Sequence, residues 1–198
     1  MDDAPLDPTR KPRADSVRNR EALMAAAKAA FTERGAETPL EDIARRAGVG
    51  IGTLYRHFPT REALLAAVYR REVEQLAATA DALLATRRPI EALEGWLDQL
   101  IEYMSTKRVI APALQASPGE EGSALQLAGP AIGGALERLT KAAVASGDIR
   151  PDLQPDDVMR LMAGLSFGYD RPDWAPSARR LISVLVAGLK ATGERDGG

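Results

Sequence analysis

Residues 38–65 read TPLEDIARRAGVGIGTLYRHFPTREALL. Thr38 at N-cap, Pro39 at N1 and Glu41 at N3 compose a capping box, so a helix is expected to start here. Leu40, Ile43, Ala44 and Ala47 then recur at i, i+3, i+4 and i+7, the apolar stripe of a short helix. Gly48 is placed to end it as a C′ glycine. A second short helix is expected over 51–58, stopped by Pro59, and Thr60 stands where it can cap a long helix over 61–86. Two short helices about a glycine turn have the layout of a helix-turn-helix, in which one helix fits the major groove of B-DNA and the other packs across it. Leu40, Ile43, Ala44, Val49 and Leu54 are the expected packing residues, with Ala44 and Ala47 small enough to let the helices cross closely.

Outward from this stretch the pattern stays helical. Val17, Leu23, Ala27, Ala30 and Phe31 share one face of a helix expected from Ser16, closed by Gly35. Residues 1–15, with prolines and Arg10, Lys11 and Arg13, are expected to form a flexible basic arm. Downstream, Pro89 opens a helix with Ile90, Leu93, Leu97, Leu100, Ile101 and Met104 on one side. Pro112, Pro118, Gly119 and Gly122 make 105–123 read as a loop with at most one short helix. A helix over 124–146, bent near Gly129-Pro130, ends at Gly147. Further helices are expected from Pro155 to about 167 and from Pro176 to about 192. The run 181–186 is apolar enough for a buried strand, but no partner strand is in evidence, so it reads as helix. The expectation is an all-α chain of nine to ten helices: a head over 16–60, a connecting helix over 61–86 and a larger body over 87–198.

Composition narrows the function classes. The chain has 198 residues, 45% hydrophobic and 27% charged, as a globular protein does. No apolar run approaches the ~20 residues of a membrane span, and the first residues lack a signal peptide's apolar core, so a cytoplasmic protein without membrane contact is expected. There is no Cys and one His, which excludes disulfides, thiolate chemistry and any two-His metal site, and no cofactor is expected. Net charge is −2, unevenly spread: residues 10–61 hold 11 Lys+Arg against 6 Asp+Glu, and residues 62–198 hold 15 against 19. A basic head on an acidic body suits a polyanion met by the head alone.

The motif from Thr38 to Leu65, above all Gly52-Thr-Leu-Tyr-Arg-His-Phe-Pro-Thr-Arg61, resembles the DNA-binding segment of the TetR family of bacterial transcriptional regulators. The resemblance is strong over 16–65. The region Gly129-Pro130 to Gly147-Asp148-Ile149-Arg150-Pro151 resembles the subgroup with an SbtR-like C-terminal domain. The resemblance implies that Tyr55 and His57 contact phosphates, that Thr53 contacts base or backbone, that Arg61 grips phosphate, and that Ile51 and Arg56 read bases. Thr38 and Gly50, at the two helix starts, join this candidate set. Arg10, Arg13 and Arg18 are candidates for phosphate or minor-groove contact. Gly50 replaces a capping Ser common in relatives, and Glu41 stands where some carry a base-contacting Arg.

The same resemblance implies a homodimer on a palindromic operator and an apolar effector pocket in the body. Trp96, Leu100, Tyr103, Met104, Ile132, Leu136, Met162, Phe167 and Trp174 are the candidate lining. With no Lys or Arg clearly in that set, a small apolar or weakly polar effector is expected. Leu161, Leu165, Leu181, Val184, Leu185, Gly188 and Leu189 are the candidate dimer face. Two rivals carry less. A helical enzyme would lack a second His, any Cys and any phosphate loop, because Gly48-Val-Gly-Ile-Gly52 follows a helix and has the wrong glycine spacing. A ligand-binding or protein-interaction module that does not read DNA has only Gly50 and Glu41 in its favour.

Overall fold

The computed structural model describes residues 10–190 apart from 118, 166, 167, 169, 170 and 172. In chain order the helices are α1 (Arg10–Arg34), α2 (Leu40–Arg46), α3 (Ile51–His57), α4 (Arg61–Thr86), α5 (Pro89–Gln115), α6 (Glu120–Ser123), α7 (Ala128–Ala145), α8 (Pro155–Leu165) and α9 (Trp174–Leu189), with a 3-10 turn over Ala124–Leu127. Of the described helices, eight have seven residues or more, slightly fewer than expected, because α6 is a single turn. An isolated antiparallel bridge joins Ile149 to Lys190, and the apolar run over 181–186 is helical within α9.

The head folds as its spacing predicts. Leu23, Ala27, Ala30 and Phe31 of α1 bury against Leu40, Ile43 and Ala44 of α2, Leu54 of α3, and Phe58. Val49 and Ala47 pack at the edge of this core. Each fully buried Leu, Ile or Phe contributes about 1.5–3 kcal/mol, so a few such residues hold two helices of seven residues that would not persist alone. Gly48 makes the turn between them. Its φ of 71° suits glycine. The Val49 N–H then reaches Ala44 O (3.0 Å) and the Gly48 N–H reaches Arg45 O (3.1 Å), the paired bonds of a Schellman motif.

Three expectations about the head need correction. α1 begins at Arg10, not Ser16, so the part of the arm from Arg10 on is helical; residues 1–9 lie outside the described residues. Val17 is exposed and does not belong to the buried face. The capping box does not form. Thr38 is 3% exposed, and its hydroxyl donates to Gly35 O (2.8 Å) and Ala30 O (3.3 Å), tying the end of α1 to the start of α2. Those bonds commit the hydroxyl to the end of α1 and leave α2 without a side-chain cap.

α4 runs from the head through the body. The Thr60 hydroxyl caps it by accepting from the Ala63 N–H (3.0 Å). Leu65, Tyr69, Glu72, Leu76, Ala80 and Leu83 line its buried face at three- and four-residue steps. α5 packs along it, pinned by the Trp96 indole N–H donating to Leu76 O (2.8 Å). α7 packs on both, α9 on α5 and α8 on α7.

α5 extends to Gln115, eleven residues beyond the expected end. Pro112 costs about 3 kcal/mol in a helix interior. Burial of Thr106, Ile110, Ala111 and Leu114, which continues the spacing of Leu97, Leu100 and Ile101, offsets it. The expected bend at Gly129-Pro130 is instead a 3-10 turn leading into α7, with Pro130 in its first turn. α9 starts at Trp174, two residues before the expected Pro176.

Candidate functional site

α3 presents two faces. Leu54 and Phe58, four residues apart, are buried. Gly50, Ile51, Gly52, Tyr55 and Arg56 are exposed on the outward side, and Thr53 and His57 are half-buried at its flanks. The helix N-terminus is left open by Gly50, which offers no side-chain cap. The C-terminal end is held firmly: the His57 and Phe58 rings are 6.3 Å apart, and the Arg20 guanidinium lies 5.1 Å from the Phe58 ring centroid.

Behind this face the charges of the head are largely paired. Arg46 makes a two-pronged bridge to Glu33 (2.7 and 2.8 Å), and this bonding holds the Glu33 carboxyl below its ordinary range. Asp42 takes Arg34 (2.8 Å) and Arg45; the hydrogen bond from Arg34 does most to keep its carboxyl ionised. Arg18 is exposed and paired with Asp15. Arg10 and Arg13 lie in the first turn of α1.

Two residues expected at the DNA have work inside the head. Thr38 is buried as described. Arg61 is half-buried, and its Nη1 donates to Ala36 O (2.8 Å) and Thr38 O (2.6 Å), clamping the α1–α2 loop to the start of α4. A motif position alone does not distinguish a cation that grips phosphate from one that grips carbonyls.

The body holds a cavity of about 500 Å³ between α5, α7 and α8. Of the residues read from the sequence as candidate lining, Leu100, Tyr103, Met104, Ile132 and Met162 line it. Trp96, Leu136 and Trp174 do not: Trp96 of α5 is fully buried against α4, Leu136 is core, and the Trp174 indole donates to Leu165 O (2.6 Å). Phe167 lies outside the described residues. The lining also includes Lys107, Ala111, Gln115, Ala128, Gly129, Met159 and Ala163. Lys107 is thus a basic residue in the lining that the candidate set lacks. Reading 105–123 as loop hides it; the steps 100, 104, 107, 111 and 115 are the signal that finds it. A second hollow of about 540 Å³, by Arg87, Glu94, Asp98 and Arg179, is lined by charges, with Arg179 bridged to Asp98 and Glu102. Among the described residues no His, Cys, Asp or Glu cluster is arranged for a metal ion, and no helix is long and apolar enough to cross a membrane.

The dimer candidates divide. Leu161 of α8 and Leu181 and Val184 of α9 are exposed, Val184 at 68%, with Gly188 exposed and Leu165 and Leu185 half-buried. Leu189 is buried in the monomer core. In α9, Leu181, Val184, Leu185 and Gly188 form one outward stripe.

Comparison with known proteins bears on both parts of the molecule. Residues 23–68 match the family of bacterial regulatory proteins, tetR family, and residues 88–191 match the C-terminal domain of SbtR-like transcriptional regulators. The chain is 31% identical over 153 residues to the HTH-type transcriptional repressor Rv3405c of Mycobacterium tuberculosis, covering 75% of this chain and 70% of that protein. Its structure is similar to that of the TetR transcriptional regulator SCO0520 from Streptomyces coelicolor, with TM-score 0.77 and 43% identity over 88% of this chain and 99% of the other. A TetR transcription regulatory protein from Mycobacterium vanbaalenii is also similar, with TM-score 0.75 and 31% identity over 90% and 99%.

Proposed function

The chain belongs to the TetR family of bacterial regulatory proteins, with an SbtR-like C-terminal domain, and from that premise we propose that it represses transcription as a homodimer on a palindromic operator and releases it when a small molecule with an apolar body fills the α5–α7–α8 cavity. It is a DNA-binding transcriptional regulator, not an enzyme. The observation that carries the finer reading is the outward face of α3, with Ile51, Tyr55 and Arg56 presented by a helix whose other face is locked in the core.

Each side chain has a job its chemistry allows. Arg56 can donate to guanine O6 and N7 together, and Ile51 covers a thymine methyl. Tyr55 and His57 donate to phosphate oxygens. Gly50 and Gly52 flank Ile51 and add nothing to base readout, so recognition leans on Arg56, Thr53 and the shape of the DNA. The exposed stripe of α9, with Leu161 of α8, is the surface for a second copy. The two recognition helices then meet half-sites about 34–36 Å apart on one side of the duplex.

The cavity and the head share α4 as their link. A ligand that favours one separation of the recognition helices lowers operator affinity by its differential binding, and about 3 kcal/mol suffices for about a hundredfold change. The test is the affinity of the purified chain for operator duplex as salt is raised. A regulator loses affinity steeply and linearly on a logarithmic plot. A helical module that does not read DNA shows no such affinity at any salt.

A further inference from the structure

Resting on the assignment of the α5–α7–α8 cavity as the effector site, we propose that its ligand is an amphipathic monocarboxylate, with the apolar chain against Leu100, Met104 and Met162 and the carboxylate at Lys107.

The cavity is graded along one helix. Leu100, Met104, Lys107, Ala111 and Gln115 follow three- and four-residue steps on α5, so they stand in one row along the wall. The large apolar members, Leu100 and Met104, come first, and the cation and the amide follow, with the small Ala111 between them. Leu100 and Lys107 are about 10 Å apart along the axis at 1.5 Å per residue, the span of a medium-length alkyl chain. Side chains on a helix lean toward its N-terminus, which brings the Gln115 amide over Ala111 and toward Lys107. Ala111 leaves the space between them open for a headgroup.

The charge balance selects an anion. No carboxylate is among the lining residues, so Lys107 meets no acid within the wall. The one hydroxyl among the lining residues, that of Tyr103, is already bonded to Tyr69 (2.7 Å). Lys107 is exposed as well as part of the lining, which sets it at the mouth, where a carboxylate keeps part of its hydration. Three methionines of the same lining, Met104, Met159 and Met162, supply an adaptable surface suited to a flexible chain.

The experiment is calorimetric titration of the full chain with decanoate, 1-decanol and decylamine at neutral pH. It compares wild type with Lys107→Met, Lys107→Arg and Ile132→Trp, the last of which fills the cavity. The expected result is decanoate binding about tenfold tighter than decanol, a preference kept in Lys107→Arg and lost in Lys107→Met with decanol affinity unchanged. Ile132→Trp is expected to weaken both. Equal affinity for decanoate and decanol in wild type, or a preference that survives Lys107→Met, overturns the headgroup assignment while leaving the cavity as an effector site. Failure of all three probes to bind, or binding unaffected by Ile132→Trp, overturns the cavity assignment itself.

Discussion

The hydroxyls of Tyr69 and Tyr103 lie 2.7 Å apart in the buried seam between α4 and α5, with ring centroids 6.0 Å apart and planes tilted by 45°. Tyr69 belongs to the helix that enters the head, and Tyr103 lines the cavity. One hydrogen bond therefore joins the helix that enters the helix-turn-helix head to the wall of the cavity in the body.

Tyr69→Phe removes that bond without altering the cavity wall. A loss of about 1 kcal/mol in stability is expected by chemical denaturation. Affinities for ligand and for operator measured separately should change little. The factor by which ligand weakens operator binding should fall, because the bond is a direct polar link between α4 and the cavity wall.

Burial pushes both phenols above the ordinary value of 10.0, most strongly Tyr103. The unfolded chain releases these protons near that value while the folded chain keeps them. Stability from the pair is thus fully present below about pH 10 and declines as pH rises beyond it. Denaturation measured at increasing pH should show this decline in wild type, and the Tyr69→Phe/Tyr103→Phe double variant should show a shallower one.

The Lys28 ammonium lies 2.5 Å from the Glu72 carboxylate, which is 8% exposed, and the pair bolts α1 to α4. Lys28→Met leaves a buried carboxylate alone and is expected to cost about 1–3 kcal/mol in unfolding free energy. The Lys28→Met/Glu72→Met double variant should recover most of the loss, since no charge then remains to be solvated. A double variant as unstable as Lys28→Met would show that the pair itself, not the orphaned charge, is what matters.

What was legible in the sequence follows the range of the interactions. The turn at Gly48, the cap at Thr60 and the buried set Leu40, Ile43, Ala44 and Leu54 depend on neighbours a few residues away, and local spacing found them. The bonds of Thr38 to carbonyls at the end of α1, and of Arg61 to the α1–α2 loop more than twenty residues back, are long-range contacts that motif position does not reveal. Local spacing ends α5 near Met104, ahead of Pro112, because the cost of a proline is a local quantity, while the burial that offsets it comes from packing against other helices. Lys107 falls in the segment that this leaves out. Trp96 and Trp174 look like ligand-orienting groups by residue type, yet their indole N–H groups bond to backbone carbonyls within the fold.

Val184 is the most exposed apolar residue of the α9 stripe. Val184→Glu places a charge where a second copy would bury it, and the chain is expected to sediment as a monomer with its helical content intact. Operator affinity should fall steeply with it, since one half-site contact then acts alone. A Val184→Glu chain that remains dimeric would assign the dimer to another surface.

Reading of DNA by α3 through Arg56, in the two-fold assembly proposed above, is checked by selecting DNA fragments with the purified chain and repeating the selection with Arg56→Ala. Wild type is expected to enrich a palindrome. Arg56→Ala is expected to relax one base pair in each half-site and to weaken binding by about 1–3 kcal/mol per contact. No enrichment at low salt by folded, ligand-free protein, or the same palindrome enriched equally well by Arg56→Ala, would contradict the account.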